Sequence, residues 1–315
     1  MCEEITDGFD RLPDVLILII FNKVRDIKTL ARCLSVSKRF NSLIPLTENL
    51  LLKVDCIISS ETDDWFFLTL IRSIVKSLRD LISPKSHPIR TRTHNSPVKI
   101  LRTFSKIKEL EIELPSGDLR LGNGAIIRWR AEYGKSLKSC AILGFYDEES
   151  RSSSGGGDGE RGLKERVVWT ISGLIAASTW HYVVKDVVRE HGELVRLVVR
   201  DRDGEGRVAM GEEGLREYRE EEEEEEEREN EERWRNRRTV IPAVKMKMRH
   251  EERVQVGEGV VLEGATLVVV KPCEDGNDNG DFEEGLGIGE FEGVYGEAVR
   301  TLLKSRSYFL EMNSF

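Results

Sequence analysis

RLPDVLILIIFNKV, residues 11–24, decides how the rest of the chain is read. Between Pro13 and Val24 only Asp14, Asn22 and Lys23 are polar, and positions 15–21 are apolar without a break. That run is far shorter than the ~20 residues a membrane-spanning helix needs. Asp7, Asp10 and Asp14 stand where a secretory signal would carry positive charge, and no small-residue cleavage site follows. No lipidation motif is seen, and nucleus and/or cytoplasm is the expected location.

The flanking residues place the run on a helix. Pro13 suits a first turn, where its missing N–H is harmless, and Asp14 suits the positive end of the helix dipole. Asp26 is set to cap a second helix, whose Ile27, Leu30, Ala31 and Leu34 recur at i, i+3, i+4 and i+7. A third helix carries Val36, Phe40, Leu43 and Ile44 and stops at Pro45. Three helices within about 35 residues cannot surround one of their own number. A large aliphatic side chain left wet forfeits ~1.5–3 kcal/mol. Several of Val15, Leu16, Ile17, Leu18, Ile19, Ile20 and Phe21 are therefore expected to face either the downstream chain or another protein.

After residue 48 helix and strand patterns alternate. LLLKVDCII (50–58) reads as a strand, 65–82 as a helix, 83–99 as a Pro/Ser/Arg loop, and IKELEIEL (107–114) as an alternating strand. A short helix near 124–134 and a strand at 137–145 follow, then a Gly/Ser tract, a long helix over 163–190 and a strand over 194–200. Residues 201–238 read as a charge-dense solvated helix or disordered segment, with strands again at 254–262 and 265–272 and a helix near 293–306. Flexible loops are expected at 83–99, 147–162, 201–250 and 273–287. This order favours parallel pairing with helical crossovers. The short Leu-rich strands are similar to those of a leucine-rich-repeat solenoid, without its regular period of ~20–29 residues. The expected fold class is α/β, with a three-helix N-terminal unit followed by an irregular leucine-rich-repeat-like helix/strand domain containing a parallel sheet.

Charge and chemistry exclude more than they select. The net charge is −9, but 14 Glu and 7 Arg fall within 212–238, leaving the rest near neutral. Eight consecutive glutamates at 220–227 read as a solvating segment. RWRNRR (233–238) is read as offsetting them by i, i+4 pairing in preference to a nucleic-acid patch. The five cysteines are widely spaced, without C-x-x-C, which fits a reducing compartment. The five histidines do not fall in metal-ligand spacing, GLGIGEFEG (285–293) follows an acidic loop and not a strand, and no nucleophile elbow is present. No cofactor is expected. Trp65, Trp129, Trp169 and Trp180 are either target anchors or core residues. Two other classes stay open: a small-molecule enzyme with an unrecognised site, and a helix-turn-helix-like DNA-binding regulator. Residues 10–45 hold seven Lys/Arg against three Asp, but the first helix is greasy, and no helix clusters Arg with Asn or Gln for base edges. Nucleic acid and membrane are not expected partners.

LPD at 12–14, the apolar helix with Ile20 and Val24, Leu30, and VSKRFNSLI at 36–44 resemble the F-box, a trihelical motif of about 40 residues. FDRLPD (9–14), VDCIIS (54–59), GATLVVVKP (264–272) and LEMNSF (310–315) are similar to the auxin-up-regulated F-box family of plants. The resemblance implies an F-box at 8–47 that docks on the Skp adaptor of a cullin–RING ubiquitin ligase, and a target-recruiting α/β domain at 48–315 whose protein substrate is unknown. It places Leu12, Pro13, Leu16, Ile20, Val24, Leu30, Val36, Phe40 and Leu43 on the motif's core and adaptor face. Phe40 stands where Trp is commoner in the motif, and Lys23 where an aromatic is common. The implied role is a non-catalytic substrate receptor.

Overall fold

A computed structural model describes residues 8–54, 101–115, 124–146, 160–225, 238–257, 259–273 and 287–315. The expected helix at 65–82 and loop at 83–99 lie outside these residues, as does Trp65.

The three N-terminal helices form as their caps dictate: α1 (Asp14–Val24), α2 (Ile27–Cys33) and α3 (Lys38–Leu43). Asp26 Oδ2 accepts from the Thr29 N–H at 2.9 Å and caps α2. Ser37 Oγ accepts from the Phe40 N–H at 3.1 Å and caps α3. The chain then enters a ten-stranded sheet. Its strands are β1 (Asn49–Lys53), β2 (Glu109–Leu114), β3 (Ala125–Tyr133), β4 (Leu137–Tyr146), β5 (Arg196–Asp201), β6 (Gly206–Met210), β7 (Val244–His250), β8 (Arg253–Val256), β9 (Val260–Pro272) and β10 (Ser307–Met312). Four helices complete the described residues: α4 (Glu160–Val183), α5 (Lys185–Glu190), α6 (Glu212–Glu225) and α7 (Gly293–Leu302).

The strand order is β1-β2-β5-β6-β3-β4-β9-β7-β10, with β8 paired to β9. The pairs β1/β2, β2/β5 and β3/β6 are parallel. The others are antiparallel, which corrects the expectation of a leucine-rich-repeat-like array. A solenoid stacks every strand in parallel at a fixed period; here parallel pairing is confined to the first edge and one internal pair. The physical cause is the segment expected to be a short helix at 124–134. It is strand β3, with Ala125, Ile127, Trp129, Ala131 and Tyr133 buried on one face. It joins β4 in an antiparallel hairpin closed by the Gly134 N–H donating to the Ser136 carbonyl at 3.0 Å. A hairpin needs only a tight turn, whereas a parallel pair needs a long crossover.

The expected loop at 201–250 is also corrected. It holds β6, α6 and β7, and Leu215 of α6 is fully buried. Asp201 closes the β5–β6 turn, its carboxylate accepting from the Glu205 N–H at 2.7 Å and the Gly206 N–H at 2.6 Å.

One sheet face is covered by α4. The stretch Gly162–Glu190 is apolar and long enough to cross a membrane by composition, but 72% of its most apolar window is buried in the fold. It acts as the core helix, packed on β3, β4 and β6. Trp129 and Trp180 meet edge to face at 4.7 Å, and Trp129, Trp169 and Trp180 are all buried, which makes them core residues and not anchors. The opposite face is covered at β4, β8 and β9 by α7, through Leu143, Phe145, Val269, Val299 and Leu302. Toward β2, β5 and β6 that same face carries charged side chains instead.

Candidate functional site

At about 100° per residue, positions 15, 19, 23, 16, 20 and 24 fall in order within half the circumference of α1. Positions 17 and 21 fall in the other half. Burial follows this division. Ile17 and Phe21 are enclosed at 0% and 3% exposure, in one continuous cluster with Ile27, Leu30, Leu43, Ile44, Leu50 and Leu52. Val15, Leu16, Ile19, Ile20 and Val24 remain 66%, 45%, 48%, 37% and 38% exposed. Lys23 is the one polar residue in that arc. Eight of the fifteen exposed large apolar side chains among the described residues lie between Phe9 and Leu46.

The buried half of α1 sits on the first edge of the sheet. Asn22 Oδ1 accepts from the backbone N–H groups of Glu48 at 2.9 Å and Asn49 at 3.1 Å, at the start of β1. The Leu51 N–H donates to the Arg25 carbonyl at 2.8 Å. The buried cluster therefore runs across the boundary expected at 47/48 without a break. The helices present one apolar half outward because the sheet edge takes only the other.

Arg39 fixes the approach to α1. Its guanidinium donates to Asp14 Oδ1 at 2.7 Å, to the Phe9 carbonyl at 3.0 Å and to the Leu12 carbonyl. Phe40 packs edge-on against Phe9 at 5.5 Å and Phe21 at 5.2 Å.

The nine residues singled out from the sequence divide into three groups. Pro13, Leu16, Ile20, Val24 and Val36 are exposed, Leu12 and Phe40 are half-buried, and Leu30 and Leu43 lie in the core. Sequence reasoning left Val15 and Ile19 off that site set, although the helical period puts them beside Leu16 and Ile20. Arg39 was missed as well, and no spacing rule would have found a side chain that holds carbonyls 27 and 30 positions away.

Elsewhere the buried polar groups are structural. His181, at the end of α4, stacks on Tyr133 at 4.3 Å. Its Nε2 donates to the Gly134 carbonyl at 3.1 Å, and its Nδ1 accepts from the Thr239 hydroxyl at 2.7 Å. Burial pushes its pKa down to about 4, so the ring is neutral at physiological pH. Burial likewise raises the Cys140 and Tyr133 pKa values. Among the described residues no three His, Cys, Asp or Glu converge as a metal site.

A greasy helical face thus stands exposed on the edge of a large mixed sheet. Over its full length the chain is similar to two Arabidopsis thaliana proteins. It is 46% identical to F-box protein AUF2, over 98% of this chain and all of that one. It is 44% identical to F-box protein AUF1, with the same coverage. No family model matches, and no solved structure matches. The chain belongs to the plant F-box proteins of the AUF family.

Proposed function

We propose that the chain is the substrate-receptor subunit of an SCF-type cullin–RING ubiquitin ligase. In this reading residues 8–47 are the F-box and dock on a Skp adaptor, and residues 48–315 hold a target protein. The single observation that carries the reading is the exposed half of α1, where five aliphatic side chains stay wet while Ile17 and Phe21 on the other half are enclosed. Leu16, Ile20 and Val24, with Val15 and Ile19 beside them, would insert into the adaptor, while Leu12, Pro13, Val36 and Phe40 flank them. Leu30 and Leu43 support the face from the core.

The subunit's contribution is proximity. It raises the effective concentration of a target beside the transfer machinery and orients it, with no cofactor and no chemistry of its own. Such a receptor would work in the nucleus or cytoplasm. The DNA-binding alternative is not favoured: α2 and α3 are short, and the most prominent exposed surface of the trio is aliphatic. Co-purification of the full chain with a Skp adaptor tests the reading. Retention at stoichiometric amounts supports it, and a chain that elutes alone while the adaptor binds a known F-box protein overturns it.

A further inference from the structure

The exposed arc of α1 is aliphatic except at one place. Lys23 falls between Ile19 and Leu16 in the angular order around the helix, and it stands in the last turn. Residues three and four apart on a helix are neighbours, so Lys23 adjoins Ile20 and Ile19, both exposed. The helix dipole favours a cation in a last turn, but it does not choose the side of the helix on which that cation stands.

The charges of the three-helix unit leave Lys23 without a counter-ion. Residues 11–45 carry seven Lys and Arg against two carboxylates, Asp14 and Asp26. Asp14 is paired with Arg39 at 2.7 Å. Asp26 accepts from the Thr29 backbone N–H at 2.9 Å and from its hydroxyl at 2.6 Å. Among the cations, Arg25 is paired with Glu111 at 3.3 Å. Lys23, Arg32 and Lys38 are exposed and have no ion pair among the described residues. An apolar face and an unmatched positive charge thus stand on one small unit.

A partner that covers Ile19 and Ile20 also takes water from the ammonium beside them. A desolvated ammonium with no partner is strongly unfavourable, whereas one that meets a carboxylate makes a charge-assisted hydrogen bond. We propose that Lys23 determines the specificity of adaptor docking, and that the groove receiving α1 presents an aspartate or glutamate carboxylate opposite the last turn of the helix. A groove that is apolar throughout is then rejected, although it matches the aliphatic residues. Arg32 and Lys38 add attraction toward the same acidic partner at a distance. The proposal rests on the docking reading above and deepens it by naming the chemistry of the partner's surface.

The test is binding of the full chain and its Lys23 variants to an immobilised Skp adaptor at fixed ionic strength, read by biolayer interferometry. Lys23→Gln is expected to weaken binding at least about fivefold and Lys23→Glu at least about thirtyfold, while Lys23→Arg stays within about twofold of the wild type. Lys23→Leu separates the proposal from a lysine whose stem simply carries its charge out to water. It is expected to weaken binding as Lys23→Gln does, even though it enlarges the apolar face. Lys304→Gln, beyond α7, is expected to leave binding unchanged. Two results would overturn the proposal while the docking reading stands: Lys23→Leu binding as tightly as the wild type or more tightly, or Lys23→Gln binding as the wild type does. A wild-type chain that does not bind the adaptor would overturn both.

Discussion

Ile17 and Ile20 are three residues apart on one helix, and the structure assigns them opposite consequences. Ile17 is fully enclosed, so Ile17→Ala leaves a cavity and should cost ~2–5 kcal/mol of folding stability. Against the ~5–15 kcal/mol that holds a typical domain, that is a large fraction. Ile20 is 37% exposed and Leu16 is 45% exposed, so together they leave most of one aliphatic side chain outside the fold. An adaptor that covers this surface recovers about 1.2–2.5 kcal/mol from it, which the double variant Leu16→Ala/Ile20→Ala should lose as a roughly 7- to 60-fold rise in Kd. Urea denaturation reads the first effect and biolayer interferometry against an immobilised Skp adaptor reads the second. The expected outcome is crossed: Ile17→Ala lowers the midpoint, while the double variant keeps it within about 1 kcal/mol and loses affinity. A double variant that binds as tightly as the wild type would refute the reasoning, because the exposed arc would then have no role in docking.

Three further outcomes follow from particular contacts. Arg39→Ala removes the donor to Asp14 and to the carbonyls of Phe9 and Leu12, and is expected to weaken adaptor binding more than fold stability; interferometry and denaturation, read side by side, check the ratio. His181 has a folded pKa of about 4 against an ordinary 6.5, so the unfolded state binds more protons between those values. Its contribution is complete above pH 6.5 and is lost as pH falls toward 4, with about 2 kcal/mol gone by pH 5. His181→Gln should flatten that part of the denaturation–pH curve. In Gly206→Ala the new Cβ would lie 2.5 Å from Trp129 Cζ2 and 2.9 Å from Trp180. Two packed indoles cannot both retreat, so a loss of ~1–3 kcal/mol is expected in thermal or chemical melts.

The sequence announced its helical caps and its uniformly buried elements most clearly. Asp26 caps α2 as its residue type requires, and the alternation of IKELEIEL holds in β2 up to Glu113, which is buried against Arg200. The strand β3 was misread because AIIRWRAEY is rich in helix formers, and the cross-strand partners that fix Arg128, Arg130 and Glu132 on one face are distant in sequence. Losing β3 also lost the β3–β4 hairpin, and with it the antiparallel half of the sheet. β6, β7 and β10 escaped because each is short and flanked by charge, so tertiary pairing and not local pattern makes them strands. For the site, the composition of α1 said that some face must be covered elsewhere. Only the position of β1 determined that Ile17 and Phe21 turn inward and leave Val15, Leu16, Ile19, Ile20 and Val24 outside.

The measurement closest to the centre of this account is residue-level carbene footprinting of the full chain, alone and in complex with a Skp adaptor. Labelling at Val15, Leu16, Ile19 and Ile20 should be strong in the isolated chain and suppressed in the complex, while Val168 and Val240, exposed elsewhere, label equally in both states. Unchanged labelling of α1 in a complex that has demonstrably formed would place the adaptor on another surface and contradict the account.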